Sequence, residues 1–166
     1  MVDKVHQVLF ICTGNSARSI LAEGLMTSLG AGRFQAFSAG SHPTGLVHPL
    51  ALATLTRLRI PVDGFRSKRW DEFAQPGAAP LDFVFTVCDR AAGELCPIWP
   101  GQPMTAHWGV PDPAAVEGSD EHKARAFMES AIVLKRRIEL MLALPLHSLA
   151  GLSLQREIDR IGTTAP

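Results

Sequence analysis

A cysteine and an arginine lie six positions apart within residues 12–19, between an apolar run and a helical pattern. We call residues 12–19 the oxyanion loop. A short loop entering a helix can turn its backbone N–H groups inward, which favours a tetrahedral oxyanion at the positive end of the helix dipole. Gly14 and Asn15 are types that tolerate the unusual backbone conformations of a tight loop. Arg18 can direct its planar guanidinium at two oxygens of one anion.

The residues that follow the cysteine in the oxyanion loop are all predicted to surround the anion. They are Thr13, Gly14, Asn15, Ser16, Ala17, Arg18 and Ser19. The same N–H groups and Arg18 would stabilise a thiolate, so we expect the pKa of Cys12 to fall below the free value of about 8.5. Ser19 is expected to donate to the Cys12 sulfur. The alternative is a buried strand-end cysteine and a surface arginine at this spacing by accident.

The elements around the loop alternate between strand and helix patterns. Strands are predicted at residues 5–11, 33–40, 81–87 and 104–108, and helices at 17–29, 48–58, 120–142 and 153–161. This alternation predicts one α/β domain with three layers, α/β/α, around a four-stranded, parallel, doubly wound sheet. The ligand crevice of such a sheet lies beyond the carboxyl ends of the strands, where Cys12 and Cys88 both fall. Residues 61–80 are predicted to form a surface connection.

Length, charge and apolar content limit the classes of function. At 166 residues the chain suits a single domain. Its 16 basic and 16 acidic side chains give no net field that would recruit nucleic acid or an anionic membrane. We find no secretory signal and no membrane span, so the expected location is the cytoplasm. Three cysteines, an odd number, argue against a structural disulfide framework.

The segment VLFICTGNSARSILAE resembles the active-site loop of the low-molecular-weight protein tyrosine phosphatases and of the arsenate reductases built on the same fold. Similarity continues at residues 37–40, 84–97 and 107–113. The resemblance implies that residues 1–143 form the family's domain, and that residues 144–166 are a helical extension packed on or trailing from it. The family's general acid is the aspartate of an Asp-Pro pair, by position Asp112. A carboxyl group above the loop can protonate a departing oxygen.

The other two cysteines bear on which activity of the family applies. Phosphatase chemistry needs only Cys12, Arg18 and Asp112. The stretch around Cys88 and Cys96 resembles the redox segment of thioredoxin-coupled arsenate reductases. The resemblance implies that Cys12 attacks arsenic, that Cys88 then attacks the Cys12 sulfur to release arsenite, and that Cys96 resolves the disulfide. The implied donors are thioredoxin, glutaredoxin with glutathione, or another low-molecular-weight thiol.

The resemblance favours an arsenate reductase that would serve arsenic resistance. One alternative is a phosphatase acting on aryl or protein phosphotyrosine esters, and another is a non-catalytic arsenic or redox sensor. The chain contains no tyrosine, and Ala114 follows the Asp-Pro pair where eukaryotic-type phosphatases carry tyrosines. No cofactor is expected. A zinc site at Cys88, Cys96 and His107 is disfavoured, because structural zinc ligands usually come in closely spaced pairs.

Several polar residues leave two interpretations open. His42 and His48 could border the anion site, although a solvated surface position is favoured. Trp108 could form a wall of the crevice or belong to the core. The cluster 135–137 is predicted to form a solvated helix face. Some relatives bind a monovalent cation beside the loop; Asn15, Glu23 and Ser38 match part of such a site, but the basic stretch 66–69 argues against it.

Overall fold

The computed structural model describes residues 4–93 and 97–164, where strands and helices alternate along the chain. The strands are β1 (His6–Cys12), β2 (Phe34–Gly40), β3 (Phe83–Thr86) and β4 (Met104–His107). The helices are α1 (Arg18–Leu29), α2 (Pro49–Arg57), α3 (Asp89–Ala92), α4 (Asp120–Leu142) and α5 (Gly151–Gly162). Single 3₁₀ turns cover Trp70–Ala74 and Pro113–Ala115. No helix among these residues has the length and apolar character to cross a membrane.

The four strands form one parallel sheet in the order β2-β1-β3-β4. Cys12 pairs with Gly40 across β1 and β2, and Thr86 pairs with His107 across β3 and β4. The carboxyl ends of all four strands therefore meet at one edge, which places the loops that follow them side by side. This arrangement confirms the predicted α/β fold with a parallel, doubly wound sheet.

The core lies on both sides of β1, whose residues 8–12 are all buried. Helix α1 packs against β1, β2 and α4, while α2 packs against α1 and α4. Phe10, Phe85 and Trp108 form a ring cluster in which the rings of Phe85 and Trp108 stack at 4.0 Å. Burial of the apolar side chains of β1 and of these three rings is the main stabilising contribution to the fold.

The C-terminal segment contacts the sheet through α5. Leu154, Ile158 and Ile161 are buried, and the helix packs against β4 and α4. The indole N–H of Trp108 donates to the carbonyl oxygen of Ile158 at 2.9 Å. Trp108 is fully buried and therefore a core residue, not a wall of the crevice.

Two stretches differ from the sequence prediction. Residues 61–80 are not wholly a surface connection, because Trp70 is buried and the backbone N–H of Gly40 donates to the Lys68 carbonyl. The cluster 135–137 is not a uniformly solvated face, because Arg137 is only 6% exposed. Lys68 accepts from the backbone of Gly40, and Arg137 donates to the backbone of Gly109. Both contacts join segments far apart along the chain, so the local sequence pattern does not predict them.

Candidate active site

The oxyanion loop leaves the end of β1 at Cys12 and enters α1 at Arg18. The residue before the helix, Ala17, provides no side-chain hydrogen bond to the first turn. The first N–H groups of an α-helix have no partner within the helix and must find one elsewhere. An alanine in this position leaves them to an external acceptor, which is what an anion site at a helix N-terminus requires.

Asn15 organises the loop through its buried side chain. Its amide nitrogen donates to the hydroxyls of Ser19 at 2.8 Å and Ser38 at 2.9 Å, and its carbonyl oxygen accepts from the Lys68 backbone N–H at 2.9 Å. Both amide hydrogens and the oxygen are thereby used. The residue also has a positive φ of 45°, which asparagine tolerates better than most types.

The two glycines near the loop serve close approach of the backbone. Gly14 does not adopt positive φ, so the expectation that it supplies an unusual conformation is wrong. A Cβ at Gly14 would lie 3.2 Å from Cγ2 of Thr44. At Gly40 a Cβ would lie 2.5 Å from the carbonyl oxygen of Thr13, a clash with the loop backbone itself.

The thiol of Cys12 is buried and hydrogen-bonded. Its sulfur lies 2.9 Å from the hydroxyl oxygen of Ser19. Ser19 can donate its hydrogen to this sulfur while its oxygen accepts from Asn15, and that arrangement stabilises a Cys12 thiolate. Burial nevertheless raises the pKa of Cys12, although hydrogen bonds from Ser19 and Asn15 act in the opposite direction. The expected lowering of this pKa is therefore wrong, because the sequence shows the donors but not the removal of water.

A second thiol lies beside the loop. Cys88 is buried, and its sulfur is 3.4 Å from the hydroxyl oxygen of Thr13. The backbone N–H of Ala91, in the first turn of α3, also donates to this sulfur at 3.4 Å. The charge of a Cys88 thiolate contributes to the raised pKa of Cys12, as expected for sulfurs near each other. Cys96 lies outside the described residues.

Arg18 and Asp112 flank the opening of the oxyanion loop. The Arg18 guanidinium donates to the carbonyl oxygen of Val110 at 3.1 Å, and another of its nitrogens lies 3.7 Å from the Asp112 carboxylate. Asp112 also accepts from the backbone N–H of Ala114 at 3.0 Å. These contacts bring the predicted anion clamp and the predicted general acid together at a cavity that Cys12 also lines.

Two adjoining cavities meet at Arg18 and Asp112. The first, of about 280 Å³, is lined by Cys12 together with residues of the loop and of its rim, namely Gly14, Ser16, Ala17, Arg18, Thr44, His48, Asp112 and Ala114. The second, of about 490 Å³, is lined by Cys88 and Asp89 as well as Arg18 and residues 109–112. Each thiol therefore borders a space that opens beside the same arginine and carboxylate.

A half-buried glutamate and lysine lie beside the groups that hold Asn15. The hydroxyl of Ser38 donates to the Glu23 carboxylate at 2.5 Å, and the ammonium of Lys68 lies 3.8 Å from the same oxygen. Burial raises the pKa of Glu23, which Ser38 and Lys68 oppose. Burial lowers the pKa of Lys68, which Glu23 opposes. A lysine ammonium therefore stands beside the carboxylate that sequence resemblance had matched to part of a cation site.

Arg137 supports the loop that carries Asp112, the predicted general acid. Its guanidinium donates to the Gly109 carbonyl oxygen at 2.8 Å and to the Thr164 carbonyl oxygen at 3.4 Å. Sequence reasoning missed this role. A usable signal was present, because residue 137 falls three positions after Leu134 and four before Met141, on the buried stripe of α4.

His107 is held by side chains of β3 and α3. Its Nε2 lies 2.7 Å from the Asp89 carboxylate, and its Nδ1 lies 2.8 Å from the Thr86 hydroxyl. Both ring nitrogens are thus engaged by oxygen atoms. Within residues 4–93 and 97–164 there is no group of three or more His, Cys, Asp or Glu side chains that could hold a metal ion.

Known proteins share this fold and loop. The model of the low molecular weight phosphotyrosine protein phosphatase family matches residues 7–149. The arsenate reductase of Halalkalibacterium halodurans is 34% identical over 132 residues, covering 80% of this chain and 91% of that protein. A solved arsenate reductase in the phosphate binding state covers 84% of this chain and 98% of its own, with 29% identity and a TM-score of 0.65.

A third similar protein comes from Corynebacterium glutamicum. It is a thioredoxin-dependent arsenate reductase with 25% identity and a TM-score of 0.55, and the match covers 85% of this chain and 65% of that one. These similarities confirm the resemblance that the loop and the Asp-Pro segment carried in the sequence. The family match ends at residue 149, beyond the boundary at 143 that the resemblance had implied.

Proposed function

We propose that this chain, which belongs to the low molecular weight phosphotyrosine protein phosphatase family, reduces arsenate to arsenite. The observation that carries the proposal is the second thiol beside the loop. The Cys88 sulfur lies 3.4 Å from the hydroxyl oxygen of Thr13, the residue that follows Cys12. Hydrolysis of a phosphate ester has no use for a second sulfur, whereas reduction requires two electrons that a pair of thiols can supply.

In the first step the loop N–H groups and Arg18 bind the arsenate monoanion, and the sulfur of Cys12 attacks arsenic. The S–As bond forms, one As–O bond breaks, and that oxygen leaves as water. The departing hydroxyl oxygen keeps its own hydrogen and gains a second proton, which comes from the Cys12 thiol. Asp112 transfers the proton to the departing oxygen, as a carboxyl group within reach of the leaving atom can. Arsenic is still in its +5 state.

In the second step the Cys88 thiolate attacks the sulfur of Cys12. The S–As bond breaks and its electron pair stays on arsenic, which departs as arsenite and takes up protons from water. The two cysteines are oxidised to a disulfide as arsenic is reduced from +5 to +3. The two electrons that the cysteines lose therefore balance the two-electron reduction of one arsenate.

The relay then returns Cys12 to its reduced form. We propose that the thiolate of Cys96 attacks Cys88, which releases Cys12 and forms a Cys88–Cys96 disulfide. An external thiol donor reduces this disulfide by exchange. Thioredoxin is the donor we favour, because a similar reductase of Corynebacterium glutamicum is thioredoxin-dependent. Glutaredoxin with glutathione would supply the same electrons. A reducing cytoplasm suits such a cycle.

A coupled assay tests the proposal. Purified protein with NADPH, thioredoxin reductase and thioredoxin should oxidise NADPH when arsenate is added. A parallel arm contains glutathione, glutaredoxin and glutathione reductase. The Cys88→Ser variant should lose turnover in the productive arm and keep hydrolysis of an aryl phosphate. Absence of NADPH oxidation in both arms, or equal loss of both activities in Cys88→Ser, would reject the relay.

Aryl phosphate hydrolysis is the second candidate activity. It is supported by the shared cavity of Cys12, Arg18 and Asp112, the three residues that phosphatase chemistry of this family needs. Phosphatase activity that depends on Cys12 and Asp112, without arsenate-dependent consumption of NADPH, would make this the function. Stoichiometric arsenite binding without either activity would instead identify a sensor.

A further inference from the structure

His48 lines the same cavity as Cys12 and Asp112. The backbone N–H of His48 donates to the Ser16 carbonyl oxygen at 3.0 Å, which ties it to the oxyanion loop. The ring packs against Phe127 with a centroid separation of 4.7 Å. His48 is half-buried and held from two sides, so the favoured interpretation of a solvated histidine is wrong.

The hydrogen bonds of His48 leave one ring nitrogen for a ligand. Nδ1 accepts from the backbone N–H of Leu50 at 3.1 Å and thereby caps the N-terminus of α2. A neutral imidazole that accepts at Nδ1 carries its hydrogen on Nε2. Among the residues that the structure describes, none accepts a hydrogen bond from this Nε2. The helix cap therefore fixes the tautomer in which Nε2 carries the hydrogen, on a residue that lines the cavity.

We propose that the Nε2–H of His48 donates to the outermost oxygen of a bound tetrahedral oxyanion and thereby favours a free oxyanion over an ester. The identity of the oxyanion rests on the proposed function, whereas the contact itself does not. In the proposed complex three oxygens of the anion face the loop N–H groups and Arg18. The fourth then points to the rim, whose lining includes His48, Asp112 and Ala114.

The chemistry of the fourth oxygen explains the selectivity. In free arsenate or phosphate that oxygen is a hydroxyl or carries negative charge, so it is a strong acceptor. In an ester it carries the organic group, is a weaker acceptor, and brings carbon atoms against the imidazole. An unpaired donor in a half-buried position then disfavours the ester.

Calorimetric titration of two unreactive probes tests this contact. Inorganic phosphate has the fourth oxygen, while phenylphosphonate has a phenyl carbon in its place. The His48→Asn variant keeps a side chain that can cap α2 but lacks the Nε2 donor. We expect the Kd of phosphate to rise about tenfold, because one charge-assisted hydrogen bond is lost. The Kd of phenylphosphonate should change less than twofold.

The matched control is His147→Asn, whose side chain lies at the opposite end of the sheet, beside Lys4 and Arg33. This control should bind both probes as the wild type does. Unchanged phosphate affinity in His48→Asn, or equal weakening of both probes, would overturn the proposal. Neither probe requires turnover, so a protein without arsenate reductase activity in the coupled assay would still report on His48.

A second readout uses the wild-type protein alone. The ¹⁵N and ¹H signals of His48 Nε2 should move when phosphate saturates the site and stay in place when phenylphosphonate does. The loss of the signal in His48→Asn assigns it. Should that variant fail to fold, through-bond correlation from the His48 backbone in labelled wild-type protein assigns the signal. A phosphate-saturated protein with an unmoved Nε2 signal would show that the imidazole does not touch the anion.

Discussion

The guanidinium of Arg137 donates a 2.8 Å hydrogen bond to the carbonyl oxygen of Gly109. A buried cation on α4 thus holds the start of the loop that ends at Asp112, three residues further on. The same guanidinium reaches the carbonyl of Thr164, near the C-terminus. None of the described residues of α4 lines the cavity around Cys12, yet Arg137 connects this helix to the loop of the proposed general acid.

Replacing Arg137 by methionine tests this dependence. Methionine fills much of the space but cannot donate to Gly109, so the loop carrying Asp112 loses its anchor. We expect kcat for aryl phosphate hydrolysis to fall about tenfold, as expected when a general acid is displaced. The control is Arg136→Met, at an exposed position on the same helix. Equal kcat values in the two variants, each shown to be folded by circular dichroism, would contradict the anchoring role.

Ser19→Ala is expected to make the Cys12 thiol less acidic. The hydroxyl of Ser19 lies 2.9 Å from the sulfur and lowers the pKa of Cys12 against the larger effect of burial. Without it the pKa rises further, and the rate of iodoacetamide alkylation at pH 7 should fall several-fold because less thiolate is present. The pH profile of alkylation measures the shift. Ser28→Ala, at an exposed position of α1, should leave the profile unchanged.

The raised pKa of Cys12 also predicts how stability depends on pH. A thiol whose pKa is higher in the folded than in the unfolded state binds its proton more tightly when folded, so stability falls as pH rises above the unfolded value. The slope from this one group is at most about 1.4 kcal/mol per pH unit. Urea unfolding between pH 7 and 10 should show a smaller decline in Cys12→Ser. An identical decline in both proteins would contradict the direction of the shift.

The fold and the centre of the site could be predicted because their signals are local. The 3.6-residue pattern of α4 gave its bounds, 120–142, as observed. Cys12, Asn15 and Arg18 lie within one loop, so their spacing along the chain reflects their spacing in space. Lys68 and Arg137 could not be assigned in this way. Each acts on a segment far along the chain, and only the folded structure shows which backbone carbonyl or carboxylate it meets.

The pair of Glu23 and Lys68 provides the last test. Lys68 holds Asn15 with its backbone N–H and stands beside the Glu23 carboxylate with its ammonium. Lys68→Met leaves Glu23 half-buried, with only the charge of the exposed Arg66 to oppose the effect of burial. We expect a loss of about 2 kcal/mol near pH 8, less than the cost of removing one partner of a fully buried pair.

The effect of Lys68→Met should depend on pH. Burial already raises the pKa of Glu23, and removal of the ammonium raises it further. In the variant, a protonated Glu23 costs little. The loss of protein stability relative to the wild type therefore grows as pH rises through the folded pKa of Glu23 and the carboxyl group ionises. Urea midpoints should show a smaller deficit at pH 5 than at pH 8. The double variant Glu23→Gln with Lys68→Met should recover most of the deficit at pH 8, because an uncharged amide can accept from Ser38 without a counter-ion. A deficit that is equal at both pH values and persists in the double variant would mean that Lys68 stabilises the loop by packing alone.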